Sequence, residues 1–238
     1  MSELLKISGL WGGYKEGVDI LRGIDLTINE GETIGIIGLN GSGKSTLGKA
    51  IVNMIPIRKG KIEFNGADIS TLPTHAIVRQ GISIMQQGGQ VFPNLSVCEN
   101  LELAFGNGIL GNSSNFEQIR EFIPLLKHTE KELKSKMADK LSGGQKHQLA
   151  LAMAIATAPR LVILDEPSAG LSPIAVEEMY TTLSKVHNEL PISIILIEQN
   201  VSKAVSFCDR TLMLQTGKLV KEYNKNSILD IEKAMFNN

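Results

Sequence analysis

In Thr33-Ile-Gly-Ile-Ile-Gly-Leu-Asn-Gly-Ser-Gly-Lys-Ser45 an apolar run leads directly into a glycine-rich loop. Thr33–Ile37 is almost wholly apolar, which is expected of a strand that is covered on both faces. Apolar residues then recur at helical spacing from Lys44 to Ile55, and Pro56 is expected to end this helix. The loop fits the pattern G-x-x-x-x-G-K-[ST] at its fixed positions, which are Gly38, Gly43, Lys44 and Ser45.

The order strand, loop, helix predicts a phosphate-binding loop. Glycines let backbone N–H groups turn towards phosphate oxygens, and the positive end of the following helix faces the same anion. Lys44 is expected to contact the β- and γ-phosphates of a nucleotide, and the Ser45 hydroxyl is expected to ligate Mg²⁺. The residues predicted to contact the nucleotide are Gly38, Leu39, Asn40, Gly41, Ser42, Gly43, Lys44, Ser45 and Thr46.

Two carboxylates follow a second apolar strand. Asp165 and Glu166 lie at the C-terminal end of Leu161–Leu164, which is where ligands bind in open α/β sheets. We expect Asp165 to hold Mg²⁺, through water, and Glu166 to polarise the water that attacks the γ-phosphate. A simpler alternative is that the two acids cap the turn before Pro167.

The composition narrows the classes of function. The chain has 238 residues, with 24 Lys+Arg and 25 Asp+Glu, so it can form a full core and has no basic excess for nucleic acid. Its longest apolar runs, such as Ile192–Ile197, are far shorter than the ~20 residues of a membrane span. No secretory signal is visible, and Cys98 and Cys208 lack metal or redox spacing, so we expect free thiols in a reducing cytosol.

The predicted elements alternate between helix and strand in the second half of the chain, which favours a parallel sheet with covering helices. The first third is predicted to be mostly strands, and the middle, roughly Gly88 to Lys140, mostly helices. The predicted strands are Leu4–Ser8, Ile24–Ile28, Thr33–Ile37, Lys61–Asn65, Leu161–Leu164 and Ile192–Ile197, with a hairpin of Thr211–Gln215 and Lys218–Tyr223 around Thr216-Gly217. The predicted helices are Lys44–Ile55, Glu117–Lys127, Thr129–Met137, Gly144–Ala158, Ile174–Glu189 and a short C-terminal helix, with a loop over Gly106–Asn115.

A further motif, Leu141-Ser-Gly-Gly-Gln145, lies between the phosphate loop and the two carboxylates. Its residues predict the start of a helix with Ser142 as the N-cap, and such a helix end is also able to bind a γ-phosphate. This motif matches the signature of the ATP-binding-cassette (ABC) ATPases, and Ser168–Pro173 matches their D-loop. The chain therefore resembles this family over essentially its whole length, with the motifs in the family's order and spacing.

The resemblance implies an α/β fold, the ABC type of P-loop NTPase. That fold has a mostly parallel core sheet, an N-terminal antiparallel β-subdomain and an inserted helical subdomain. We expect one domain over residues 1–238, with the core and β-subdomain in 1–87 and 146–238 and the helical subdomain in about 88–145. The implied activity is ATP hydrolysis with Mg²⁺.

In the family, the signature motif contacts the ATP held by a partner subunit. The resemblance therefore implies a head-to-tail dimer, formed with a second copy or with a paralogous ATP-binding subunit, that encloses two ATP molecules. It also implies integral membrane permease subunits as partners. The residues assigned to the partner's nucleotide are Leu141, Ser142, Gly143, Gly144 and Gln145.

Three more site residues follow from the resemblance. Tyr14 lies where the family has an aromatic ring stacked on adenine, although a core tyrosine at a strand end is an alternative. Counting back from Val91-Phe-Pro93 favours Gln87 over Gln86 as the glutamine that contacts Mg²⁺ and the attacking water. Gln199 occupies the switch position, which is commonly histidine; a glutamine does not titrate near neutral pH but can hydrogen-bond the γ-phosphate.

Three segments are similar to one subgroup, the smaller ATP-binding subunit of branched-chain amino acid and urea importers. These segments are Glu198–Asn200, Glu166–Ile174 and Gln87–Leu95. The chain departs from the family at Met153, where an arginine is usual, and its helical middle is short. These departures leave the transported solute open.

The resemblance implies an ATPase that powers a membrane transporter from the inner face of the cell membrane, on the cytoplasmic side, with branched-chain amino acids or a similar small polar solute as cargo. One alternative is the ATPase of an exporter. Another is a non-transport ABC ATPase, but such proteins usually carry insertions, zinc modules or tandem cassettes that 238 residues do not accommodate.

Overall fold

We describe the fold from a computed structural model, which describes residues 2–105 and 114–224. The strands within these residues are β1 (Glu3–Gly12), β2 (Leu21–Asn29), β3 (Thr33–Ile37), β4 (Ile57–Phe64), β5 (Ala67–Asp68), β6 (Ile82–Met85), β7 (Leu161–Asp165), β8 (Ser193–Glu198), β9 (Arg210–Gln215) and β10 (Lys218–Asn224). The α-helices are α1 (Lys44–Ile51), α2 (Thr74–Arg79), α3 (Val97–Phe105), α4 (Ser114–Phe122), α5 (Glu130–Ser135), α6 (Gly143–Ile155), α7 (Pro173–Glu189) and α8 (Val201–Phe207).

The larger sheet is mostly parallel. Its strand order is β10-β9-β3-β8-β7-β6, and each neighbouring pair is parallel except β10 with β9. Every residue of β3, β7 and β8 is buried, because helices cover both faces of such a sheet. This confirms the predicted core sheet, and it brings the ends of β3, β7 and β8 to the same edge.

The smaller sheet is antiparallel, with strand order β2-β1-β4-β5. Its apolar residues form one buried cluster with α1 and the core sheet. Ile24 of β2, Leu47 of α1 and Ile36 of β3 are members of this cluster. The predicted N-terminal antiparallel part is therefore confirmed. Its packing fixes α1, and with it the phosphate loop, against the core sheet.

Helices α3, α4 and α5 lie between β6 and α6 in the chain. Leu101, Phe116 and Leu133 from these helices are buried in one cluster with Leu149 of α6. The predicted inserted helical part is confirmed as a feature of the fold, while its limits at residues 88 and 145 stay a prediction.

The predicted helix over Glu117–Lys127 is wrong in extent. The α-helix ends at Phe122, and a separate 3₁₀ helix runs over Pro124–Lys127. Pro124 is the reason, because proline lacks an N–H and pushes the preceding residue out of the helical region; Ile123 is accordingly extended, with φ −102° and ψ 110°.

The helix after the phosphate loop also ends earlier than predicted, at Ile51 rather than Ile55. Asn53 has φ 53°, and the N–H groups of Asn53 and Met54 donate to the carbonyls of Ala50 and Lys49. This arrangement is a Schellman motif, in which a left-handed residue closes the helix. Asn53, and not Pro56, ends α1.

The remaining predicted elements differ from the structure by a few residues at their ends. The C-terminal hairpin is confirmed: β9 and β10 are antiparallel, and Thr216 and Gly217 both have positive φ, as a two-residue turn requires. Most of the predicted loop over Gly106–Asn115 lies outside the described residues, and so does the whole of the predicted C-terminal helix. Within residues 2–105 and 114–224, no helix is both long and apolar enough to cross a membrane.

Candidate functional site

A groove of ≈ 440 Å³ lies where the phosphate loop meets the ends of the core strands. Its volume is within the range of about 300–1,000 Å³ that is typical of small-molecule sites. Six residues of the phosphate loop and the three polar residues Gln87, Glu166 and Gln199 line it together. The lining residues are Ile20, Asn40, Gly41, Gly43, Lys44, Ser45, Thr46, Gln87, Glu166 and Gln199.

The loop backbone has the shape that a phosphate group requires. Gly41 and Gly43 have φ 79° and 108°, and a Cβ atom on Gly38 would come within 2.2 Å of the Leu214 carbonyl oxygen. Helix α1 has no side-chain cap at Gly43 and no acidic residue in its first turn. The helix therefore supplies neither a side-chain cap nor a carboxylate of its own to its first N–H groups, which leaves them available to an anion.

Lys44 is buried between the loop and the carboxylates. Its Nζ donates to the carbonyl oxygens of Gly38 at 2.8 Å and Leu39 at 3.2 Å. Burial lowers the pKa of Lys44, and the negative charges of Glu166 and Asp165 oppose this shift. The ammonium group is thus placed at the loop, where it can pair with phosphate oxygens.

Ser45 and Asp165 bring together two oxygen atoms of the kind that ligate hard cations. The Ser45 hydroxyl donates to Oδ1 of Asp165 at 2.9 Å. Burial raises the pKa of Asp165, the hydrogen bond from Ser45 lowers it, and the neighbouring Glu166 raises it further. A cation at this position would favour the carboxylate form again, so the oxygen pair and its electrostatics fit Mg²⁺.

Glu166 lines the groove and is buried. Its backbone has φ 49°, a conformation that is uncommon outside glycine and is often found at functional sites. Gln87 Nε2 donates to one carboxylate oxygen and Gln199 Nε2 to the other, each at 2.6 Å. Gln86 instead lines a separate groove, so the structure places Gln87 in the candidate site.

Tyr14 is half exposed, at 52%, which rules out a buried core tyrosine at this position. Lys49 of α1 has its Nζ 5.9 Å from the centre of the Tyr14 ring. An exposed ring near α1 is compatible with stacking on a base. That role stays a prediction, because Tyr14 is not among the residues that line the groove.

The signature residues begin α6 as predicted from their types. Ser142 Oγ accepts from the Gln145 N–H, and Gln145 Oε1 accepts from the Ser142 N–H, both at 3.3 Å; this is a capping box. Lys136 Nζ also donates to Gln145 Oε1, at 3.3 Å, a contact that the sequence did not predict. Leu141 is buried.

The signature borders a second groove, which has no lining residue in common with the first. Loop residues after β7 and the start of α7 form its other side. The residues that line it are Pro124, Leu125, His128, Ser142, Gly143, Gly144, Gln145, Gln148, Gly170, Leu171, Ser172, Ile174, Ala175 and Glu178. Within one chain, the phosphate loop and the signature therefore belong to different grooves.

Sequence reasoning missed two residues near the first groove. Ile20 lines it from the connection between β1 and β2, and no motif marks this position. Glu198 is buried directly beside Gln199. A charged residue at the end of the apolar run Ile192–Ile197 is unusual, and this was the signal that could have identified Glu198.

A phosphate loop joined to paired carboxylates at the ends of parallel strands defines a P-loop nucleotide-binding ATPase. The family model for ABC transporters matches residues 21–169. The chain therefore belongs to the ABC transporter family, and it is an ATP-binding subunit of a transporter with ATPase activity.

Known proteins resemble this chain along nearly its whole length. A probable branched-chain amino acid transport ATP-binding protein, LivF of Archaeoglobus fulgidus, is 34% identical over 97% of this chain and 96% of its own. The lipopolysaccharide export ATP-binding protein LptB of Escherichia coli is 31% identical over 96% of this chain and 93% of its own. The dimeric, post-hydrolysis structure of the ATP-binding cassette MJ0796 with ADP and Pi has a TM-score of 0.79, at 25% identity, over 93% of this chain and 99% of that one.

Proposed function

We propose that this chain hydrolyses ATP to drive the import of branched-chain amino acids or a similar small polar solute, with permease subunits at the inner face of the cell membrane. The similarity to LivF over nearly the whole chain carries the choice of cargo. Lys44, Ser45 and Glu166 line one groove, and Asp165 accepts a hydrogen bond from Ser45; this arrangement supports the chemistry.

The phosphate loop and the polar residues at the first groove each have a role in this proposal. The loop from Gly38 to Thr46 binds the phosphates, Ser45, Asp165 and Gln87 hold Mg²⁺, and the cation offsets the charge of the phosphates when it is bound. Glu166 accepts a proton from the attacking water. Gln87 and Gln199, which both donate to Glu166 at 2.6 Å, orient that carboxylate and the γ-phosphate.

In this proposal, the second groove binds the ATP of another chain, and the protein therefore works as a dimer. Ser142 to Gln145 present the N-terminus of a capped helix, but their groove has no residue in common with the phosphate loop of the same chain. A head-to-tail pair of chains would place each signature against the other chain's ATP. Such a pair has two equivalent ATP sites at one interface and therefore two-fold symmetry, or pseudo-symmetry with a paralogous subunit.

The test of the cargo is solute uptake in the organism that encodes this chain. We expect deletion of the gene to lower the uptake of radiolabelled leucine, isoleucine and valine severalfold. The parent gene should restore uptake, whereas Lys44→Ala should not, because the variant lacks the cation that binds the phosphates. Phosphate uptake is the matched control and should not change.

An exporter is the second candidate, because the similarity to LptB also spans nearly the whole chain. Unchanged uptake of branched-chain amino acids and of urea in the deletion strain would contradict the import proposal. Loss of lipopolysaccharide at the cell surface in that strain would favour export instead. Copurification from membranes then identifies the permease subunits directly.

A further inference from the structure

Glu198 ends β8 immediately before Gln199, and only 3% of its surface is exposed. Its Oε1 accepts hydrogen bonds from the Ser168 hydroxyl at 2.7 Å and from the Tyr180 hydroxyl at 3.0 Å. Its Oε2 accepts the backbone N–H of Gln199 at 3.1 Å. The two oxygens therefore serve different parts of the fold, since Ser168 follows β7, Tyr180 belongs to α7 and Gln199 follows β8.

A buried carboxylate is costly unless hydrogen bonds replace its lost hydration. Among the described residues, Glu198 has no basic side chain within ion-pair distance, and hydroxyl and backbone donors satisfy it instead. Burial and the charge of Glu198 raise the pKa of Tyr180, so its hydroxyl stays a neutral donor. An apolar residue would cost less here, so the hydrogen bonds of Glu198 point to a role beyond stability.

The contacts of Glu198 connect the two grooves. Ser168 begins the loop whose residues Gly170 and Leu171 line the signature groove. On the other side, Gln199 Nε2 donates to Glu166 Oε1 at 2.6 Å in the first groove. The path from Ser168 through Glu198 and Gln199 to Glu166 consists of three hydrogen bonds, each at most 3.1 Å long.

We propose that Glu198 is a positioning residue that couples the loop after Glu166 to Gln199. When the loop moves, the hydroxyl of Ser168 displaces the carboxylate, and the carboxylate displaces the backbone of Gln199. The orientation of Glu166 then depends on the occupancy of the signature groove. This inference rests on the proposed function for the meaning of that groove, but the coupling itself is a property of one chain.

Hydrogen–deuterium exchange of the full chain without nucleotide tests the coupling. We expect Ser168→Ala to speed amide exchange at Gln199 and Asn200 by about tenfold, because local opening of this segment loses one anchoring bond. Ser168→Thr keeps the hydroxyl and should restore the parent rate. Ser184→Ala is the matched control, since the Ser184 hydroxyl donates to the Tyr180 carbonyl oxygen within α7 and does not contact Glu198.

Kinetics with Mg-ATP test the consequence for catalysis. We expect Ser168→Ala to lower kcat by about tenfold in the parent and to have no further effect in the Gln199→Ala background, because the coupling acts through Gln199. Equal losses of kcat in both backgrounds, or faster exchange confined to residues 166–172, would overturn the proposal. Absence of ATP hydrolysis by the parent with its copurified partners would contradict the proposed function, whereas the exchange experiment would still decide the coupling.

Discussion

At the scale of single residues, the burial of Asp165 lowers the stability of the fold, whereas its proposed role in holding Mg²⁺ requires its charge. The side chain is buried, and burial together with Glu166 raises the pKa of Asp165. When the pKa of an aspartate is higher in the folded state, the free energy of unfolding falls as the pH rises from the unfolded-state pKa through the folded-state pKa. The penalty grows across this window and is complete above the folded-state pKa.

We therefore predict that Asp165→Asn stabilises the protein without nucleotide but weakens its response to Mg-ATP. The amide keeps an oxygen for the Ser45 hydroxyl, which lies 2.9 Å from Oδ1, and it removes the buried charge. Thermal unfolding at pH 7 should shift upward by on the order of 2 °C, since solvent screens part of the charge. The increase in Tm on adding Mg-ATP should become smaller, because a carboxylate ligand to the cation is lost.

The pH series is the control for this prediction. As the pH falls below the unfolded-state pKa, Asp165 becomes protonated in both states, and the difference in Tm between variant and parent should shrink towards zero. A difference in Tm that stays constant from acid to neutral pH would show that the aspartate charge is not its cause.

At the scale of elements, the start of α6 is capped, our proposal adds contact with a partner's nucleotide to this structural role, and the chain contains its own control. Ser142 caps α6 with Gln145, and Thr129 caps α5 with Glu132, both through capping boxes. The bond from the backbone N–H to the capping hydroxyl is 3.3 Å long in each case. Loss of either cap should cost about 1 kcal/mol of stability.

We predict that Ser142→Ala and Thr129→Ala destabilise the protein similarly in urea unfolding, but that Ser142→Ala alone lowers the ATPase rate. The loss should be roughly tenfold or more, because a hydrogen bond to a phosphate group contributes more than a neutral one. The rate is measured with the full chain and its copurified partners. Equal ATPase rates for the two variants would mean that Ser142 has only the structural role.

The same scale shows why some elements could be predicted and others could not. The strand at Thr33–Ile37 and the hairpin turn at Thr216-Gly217 were predictable, since burial on both faces and positive φ leave direct marks on residue type. The end of α1 was not, because Asn53 adopts a left-handed conformation that its sequence context did not indicate. Pro124 did carry a signal, but the apolar spacing across it suggested one continuous helix.

Most residues of the candidate site were predictable from motifs, but their contacts were not. Separate motifs predicted Glu166, Gln87 and Gln199. In the fold, the side-chain amides of Gln87 and Gln199 both donate hydrogen bonds to the Glu166 carboxylate. Glu198 escaped prediction because its partners, Ser168 and Tyr180, are 30 and 18 residues away in the chain. A contact of this kind follows from the register of β7 and β8 and not from a local pattern.

At the scale of the whole molecule, two half-sites on one chain suggest that ATP joins two chains. The phosphate loop and Glu166 border one groove, and Ser142–Gln145 border another. A nucleotide bound in the first groove leaves the second available for the nucleotide of a partner chain. Binding and association are then separable events, and variants of the two grooves should affect them differently.

We predict that Glu166→Gln, which retains bound ATP by removing the base, forms a stable dimer with Mg-ATP in sedimentation velocity and stays monomeric without it. Addition of Ser142→Arg should abolish the dimer, because a bulky side chain fills the partner's side of the interface, yet the rise in Tm with Mg-ATP should remain. Addition of Lys44→Ala should abolish both, since it removes the phosphate contact itself. A Glu166→Gln chain that binds Mg-ATP but remains monomeric would mean that the second half-site comes from a paralogous subunit, and the copurified partner should then restore the dimer.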